Sequence, residues 1–342
     1  MQFATGTSPH LPRPNSVHLV MRRVLTALVP GIVALTVVMG IGVITNLVLC
    51  TVSALLLEAA SLWLRGRPVQ SQLNDLSAVV TAWLLAIALP PLSPWWLILI
   101  ASGFAIMVAK HLYGGLGYNP FNPAMVGYVV VLIAFPLELT SWVAPIGAGG
   151  ADVGLWQSLQ AIVGGGAASL DGVTAATPLD IAKTELIRGR TLDEIRNGVA
   201  FGIIGGHGWE WANLAFLAGG LWLLWKRVIQ WQIPVSMLAG LAAMAGLFWV
   251  VDPGTHPSPL FHLATGAAIL GAFFIATDPV SAATTPLGRV YFGAGIGVLS
   301  YVIRSWGGYP DGVAFAVLLM NLVAPTIDYY TQPRVFGHQR RP

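Results

Sequence analysis

Residues 171–179 read Asp-Gly-Val-Thr-Ala-Ala-Thr-Pro-Leu, a tract of small residues and two hydroxyls in a polar, charged loop of an otherwise strongly apolar chain. Thr177 precedes Pro178, and a proline pushes the residue before it out of the helical region towards an extended conformation. Its hydroxyl is thereby presentable to an enzyme. The following run, Leu-Asp-Ile-Ala-Lys-Thr-Glu-Leu-Ile, predicts a short amphipathic helix, and helix amino termini attract phosphate. Written as D-x-x-[S/T]-x-A-T, the pattern is carried by Asp171, Thr174, Ala176 and Thr177. It occurs a second time, at Asp278, Ser281, Ala283 and Thr284.

Other chemistry is sparse. The lone cysteine, Cys50, falls in an apolar run, so no CxxC, zinc or iron–sulfur site can be built from this chain alone. The seven histidines show no ligand spacing; His256 and His262 flank the start of one apolar run, where interfacial packing competes with metal or haem ligation. Glu58 lies within an apolar run, and carboxylates there are expensive and tend to be functional, which suits an ion path. The alternative is a place near the headgroups, two turns from Arg65. Residues 114–124, Gly-Gly-Leu-Gly-Tyr-Asn-Pro-Phe-Asn-Pro-Ala, predict a folded non-helical segment. Such backbone at membrane depth must line a cavity or be buried in protein. No G-x-G-x-x-G opening a soluble helix is present for a dinucleotide.

The elements that must position these residues are membrane helices. Hydrophobic residues make up 56% of the chain and charged residues only 9%, with mean hydropathy +0.73; soluble domains carry roughly 25% charged residues. Apolar runs long enough to cross about 30 Å of hydrocarbon occur near 24–41, 43–64, 75–93, 95–110, 123–140, 211–225, 232–251, 260–277, 290–306 and 311–327. The expectation is an all-α polytopic membrane protein of ten transmembrane helices. The first 20 residues are polar and proline-rich, so span 24–41 reads as a retained helix, not a cleaved signal.

Basic residues set the orientation, since cytoplasmic loops keep Lys and Arg. With the amino terminus inside, Arg13, Arg22, Arg23, Arg65, Arg67, Lys110, Lys226, Arg227, Arg289, Arg334, Arg340 and Arg341 fall on the cytoplasmic side, twelve of the 17. Lys183, Arg188, Arg190, Arg196 and Arg304 fall outside. Four of these five lie in one long acidic and basic loop, and long loops are exported largely regardless of charge. The predicted organisation is a cytoplasmic arm 1–20, a first five-helix half 21–140, a periplasmic loop 141–210, a second five-helix half 211–328 and a cytoplasmic tail 329–342. An odd number of spans per half inverts the halves, as in inverted-repeat folds. The starts and ends of spans 75–93 and 260–277 echo each other in small residues and prolines. The net charge of +3 needs no nucleic acid to explain it.

The tract at 171–179 resembles the acceptor site on which a flavin transferase esterifies FMN through its phosphate to the last threonine, here Thr177. Four further tracts, Ser8-Pro-His-Leu, Ala27-Leu-Val-Pro-Gly, Gly-Tyr-Asn-Pro-Phe-Asn-Pro-Ala and Ala276-Thr-Asp-Pro-Val-Ser-Ala, combine with it in an order that resembles the D subunit of the Rnf complexes over almost the whole chain. The B subunit of the sodium-pumping NADH:quinone reductase is similar in its membrane core but has a longer amino-terminal extension. One departure is Ala175, where the family acceptor usually has Gly.

The resemblance implies a urea-transporter-like bundle of inverted five-helix halves in the bacterial inner membrane. It implies a complex with the other Rnf subunits (A, B, C, E and G) that couples electron transfer between ferredoxin and NAD to translocation of Na+ or H+. FMN on Thr177 would relay electrons from the covalent flavin of RnfG, and relatives also hold a non-covalent riboflavin. Topology chooses between the two acceptor matches, because the transferase works on the outer side, where loop 141–210 is predicted to lie. The competing reading is a ten-span solute channel or secondary transporter without a redox cofactor, its central site formed by loops 114–124 and 278–288; fold alone does not exclude it.

Overall fold

The computed structural model describes residues 16–150, 153–164, 174–309 and 311–332. Two long helices open the chain, α1 (Val17–Met39) and α2 (Gly42–Leu64). The chain then breaks into shorter pieces: α3 (Val69–Leu73), α4 (Ser77–Ala88), α5 (Trp95–Gly103) continued by a π-helical segment Phe104–His111, α6 (Pro123–Ala134) and α7 (Pro136–Thr140). The predicted loop contains β1 (Trp142–Val143), α8 (Leu155–Gly164), β2 (Thr174–Ala175), α9 (Pro178–Ile187) and α10 (Leu192–Arg196). Helices α11 (Trp209–Trp225) and α12 (Gln232–Val251) follow, then α13 (Pro259–Ala264), α14 (Ala268–Leu270) with a π segment Gly271–Ile275, α15 (Pro286–Trp306) and α16 (Val313–Thr331).

Each predicted apolar run coincides with helix, but not always with one unbroken helix. Among the described residues, α1, α2, α12, α15 and α16 are long and apolar enough to cross a membrane. The chain is therefore a multi-pass membrane protein. Helix α4 ends at Leu89 because Pro90 and Pro91 cannot continue it. Run 123–140 divides at Phe135, ahead of Pro136. Run 260–277 breaks at Thr265 and Gly266, whose φ of 65° suits glycine. At the ends, α1 begins at Val17, inside the predicted arm, and α16 continues to Thr331, inside the predicted tail.

Small residues set the packing. On α1 and α11 the neighbours are Ala27 with Gly219 and Gly31 with Phe216, so the two helices run antiparallel. Gly240 of α12 faces Ala294 of α15, and Gly293 and Gly297 of α15 face the α12 backbone at Ile233 and Met237. Glycine lets helix backbones approach closely, where dispersion contacts replace the missing hydrophobic drive between lipid-embedded helices. Val29, Val33, Val37, Val48, Val52 and Leu56 point outward from α1 and α2, as lipid- or partner-facing positions should.

Candidate functional site

Four helices start in the same way, with a polar cap followed by proline at the first position: Asn122-Pro123, Thr177-Pro178, Ser258-Pro259 and Thr285-Pro286. Each cap side chain accepts from a backbone N–H of the first turn, and proline gives up an N–H that would have had no partner. Thr177 is the cap of α9. Its backbone is extended (φ −66°, ψ 156°), and its Oγ1 accepts from Asp180 N at 3.3 Å. The predicted helix after Thr177 is present, and its amino terminus carries the hydroxyl.

Several contacts dock this segment on the membrane core. β2 pairs antiparallel with β1, placing Ala175 opposite Trp142 and Thr174 opposite Val143. Leu179 and Ala182 pack with Phe261, and Phe201 covers them. Lys183 Nζ donates to the Gly307 carbonyl and, at 3.3 Å, to that of Tyr309. Of the four residues of the acceptor pattern, Thr177 is half-buried, Thr174 and Ala176 are exposed beside it, and Asp171 lies outside the described residues.

Thr177 stands at the edge of a cavity. Its walls include the aromatic rings of Tyr128, Trp142, Trp209, Phe216 and Tyr309, and its polar groups include Asp180, Asn213, Thr265 and Asp311. Trp142 and Trp209 meet edge to face at 5.2 Å. The wall opposite Thr177 is the break between α13 and α14. Asn213 Nδ2 donates to the Ala264 and Gly266 carbonyls, and Arg304 donates to those of His262 and Thr265. Asp311 accepts from Ala267 N at 2.7 Å and holds Arg304 Nε at 3.2 Å. Backbone freed inside a membrane must find such partners. The cavity is thus walled by aromatic rings beside Thr177, and of the first-turn N–H groups of α9 that of Leu179 is left over, since Pro178 has none and those of Asp180 and Ile181 go to Thr177.

The second acceptor match is built differently. Thr284 Oγ1 donates to Asp328 at 2.8 Å, and the N–H groups of Thr284 and Thr285 bond the same carboxylate. Its hydroxyl is committed to that carboxylate at the start of α15. Val313 and Ala314, at the start of α16, line the Thr177 cavity, whereas Asp328 lies near its end. A helix of 19 residues is roughly 28 Å long at a rise of about 1.5 Å per residue. The two matches therefore sit at opposite ends of a membrane-length helix.

A second cavity lies at that other end, lined by Ser77, Lys110, Asn119, Asn122, Thr277 and Asp278 among apolar residues. Behind it, Lys110 Nζ donates to both oxygens of Glu58, at 2.7 and 2.8 Å, and to Ser77 Oγ at 2.8 Å. Glu58 is 2% exposed and its partner is Lys110, while Arg65 donates to the His111 carbonyl. Of the segment 114–124 predicted to be non-helical, residues 114–122 are so and Pro123 and Ala124 already belong to α6; Asn122 bonds Ile275 O and Asn321. Among the described residues no group of three His, Cys, Asp or Glu is arranged to hold a metal ion.

The sequence matches the NQR2, RnfD, RnfE family over residues 4–337. The chain belongs to this family. Similar full-length relatives are the proteins named as the D subunit of the ion-translocating oxidoreductase complex in Pseudomonas paraeruginosa, Vibrio cholerae and Ectopseudomonas mendocina. The first is 57% identical over 99% of this chain and 97% of the relative. The second is 53% identical over 99% and 100%, and the third 59% over 98% and 96%. Within the family assignment, Arg304, Asp311, Asn213 and the two tryptophans are what sequence reading missed around Thr177. Their one signal was a charge, Arg304, standing within an apolar run.

Proposed function

We propose that this chain is the membrane subunit of an Rnf-type complex that couples electron transfer to ion translocation, and that it holds FMN esterified through its phosphate to Thr177. The relatives' shared name supports membership in an ion-translocating oxidoreductase complex, whose other subunits (A, B, C, E and G) bring the donors and acceptors. The observation that carries the flavin reading is the difference between the two acceptor matches: Thr177 opens on an aromatic-walled cavity, whereas the Thr284 hydroxyl is bound by Asp328. Flavin supplies transfer of single electrons, which suits a relay between one-electron carriers. The chain's residues orient and shield it: Trp142, Trp209 and Tyr309 line the ring space, and the first turn of α9 faces the phosphate.

The same reading places loop 141–210 on the periplasmic side of the inner membrane, within reach of the flavin transferase and of RnfG. An inverted arrangement of two five-helix halves is supported by the antiparallel pairing of α1 with α11. Two opposed cavities also suit a solute pathway. In-gel fluorescence separates the readings. The denatured band of the unaltered chain fluoresces under ultraviolet light, Thr177→Ala is dark but still inserted, and Thr284→Ala keeps the signal. A dark unaltered band favours the transporter, and a dark Thr284→Ala beside a bright Thr177→Ala moves the acceptor to the other end.

A further inference from the structure

Two carboxyl groups face the Thr177 cavity, Asp180 and Asp311. Asp311 is fully engaged: Oδ1 accepts from Arg304 Nε and Val313 N, and Oδ2 from Ala267 N and Arg304 Nη2. The Asp180 carboxylate receives no hydrogen bond among the described residues. The cation nearest it in sequence on the same helix, Lys183, turns its ammonium to the carbonyls of Gly307 and Tyr309. Asp180 is also the residue whose backbone N–H bonds Thr177 Oγ1, so a group hung on that oxygen starts one helical turn from this side chain. It is half-buried, and the helix that carries it runs on into exposed residues at Ile187 and Arg188.

We propose that the Asp180 carboxyl donates and takes back the proton that accompanies electron arrival and departure at the flavin on Thr177. The inference rests on the flavin reading above. As one electron arrives from a one-electron carrier protein of the complex, one proton passes from the carboxyl oxygen to a nitrogen of the flavin ring. The carboxylate left behind stays ionised while the flavin holds the electron. When the electron leaves, the proton returns by the same path, and the ester at Thr177 is untouched. Burial pushes the Asp180 carboxyl above the usual carboxylate range, and the Lys183 charge partly opposes that rise. A carboxyl moved in that direction holds a proton to higher pH than a solvent-exposed one.

The surrounding titratable groups are already committed or set apart. Glu210, on the turn that packs against Pro178, accepts from Ile204 N and Gly205 N. His207 of that turn lies against Gly147. On α10, Glu194 caps Thr191, and Asp193 and Arg196 are exposed. Within α9, Glu185 pairs with Arg188 and Arg190. Tyr128 and Tyr309 also line the cavity.

The test follows the flavin midpoint potential of the purified full chain by spectroelectrochemistry from acid to alkaline pH, with in-gel fluorescence recorded for every variant. The unaltered chain shows a change of slope where Asp180 titrates. Asp180→Asn keeps the fluorescent band and loses that change of slope; Asp180→Glu retains it at a shifted pH. Lys183→Gln removes the opposing cation and moves the change of slope to higher pH, which reads the same group in a chain with Asp180 intact. An Asp180→Asn profile superimposable on the unaltered one overturns the proposal, as does a Lys183→Gln profile that does not move. An unaltered chain without fluorescence overturns the flavin reading itself, and this inference with it.

Discussion

Lys110 and Arg304 are cations in apolar runs, and both are neutralised inside the protein. Lys110 is bound by Glu58, and Arg304 by Asp311 and two carbonyls. Counting basic residues to orient the chain treats such groups as loop charges. Neither should vote, because a buried, paired cation reports packing and not the side of the membrane. Removing Lys110 costs the cytoplasmic tally one residue, and removing Arg304 costs the outer tally one, so the predicted orientation keeps its sign. Glu58 illustrates what one-dimensional reading lacks: its neighbour in sequence is Arg65, but its partner is 52 residues away. Breaking a buried pair from one side strands the other charge, at a cost of about 3–5 kcal/mol. Glu58→Gln is therefore expected to lower the melting temperature of the detergent-solubilised chain sharply, whereas Glu58→Gln with Lys110→Met recovers most of the loss. Equal destabilisation by the single and double variants would show that the pair contributes nothing as a pair.

Helix starts were legible because their chemistry is local. Asn122-Pro123, Thr177-Pro178, Ser258-Pro259 and Thr285-Pro286 each combine an acceptor side chain with a fixed φ, and α9 begins where the sequence predicts. Helix interiors were not. The π segments at Phe104–His111 and Gly271–Ile275 and the break at Thr265 leave the apolar pattern unchanged, since hydropathy records which side chains are apolar and not how the backbone bonds. The break matters most, because it forms the wall opposite Thr177 and recruits Arg304, Asp311 and Asn213. Packing glycines were equally silent in the sequence. Gly297 of α15 rests on the backbone of α12 at Met237 and Leu241, where a Cβ would collide with main-chain atoms that cannot rotate away. Gly297→Val should destabilise the chain by at least the 1–3 kcal/mol or so typical of overpacking, read as a lower melting temperature in detergent; a variant as stable as the unaltered chain would mean that α12 and α15 are free to separate.

At the scale of the molecule, α16 connects the two acceptor matches, its first turn at the Thr177 cavity and its Asp328 on Thr284. Whichever side one occupies, the other occupies the opposite side. Alkaline phosphatase fused near Leu186 should be active and the same reporter fused after Arg341 inactive; the reverse pattern turns the chain over and leaves Thr177 beyond a periplasmic transferase. The Thr177 segment is docked through Lys183 on the Gly307 and Tyr309 carbonyls, through Leu179 on Phe261 and through β2 on β1. On the proposed reading, a flavin fixed there would meet its partners outside the membrane with its ring toward the aromatic walls of the cavity. The most direct measurement is the intact mass of the purified chain and of its two threonine variants. The account predicts an increment of one FMN less one water on the unaltered chain and on Thr284→Ala, and none on Thr177→Ala. An increment that survives Thr177→Ala, or is missing from the unaltered chain purified from cells that make the transferase, contradicts it.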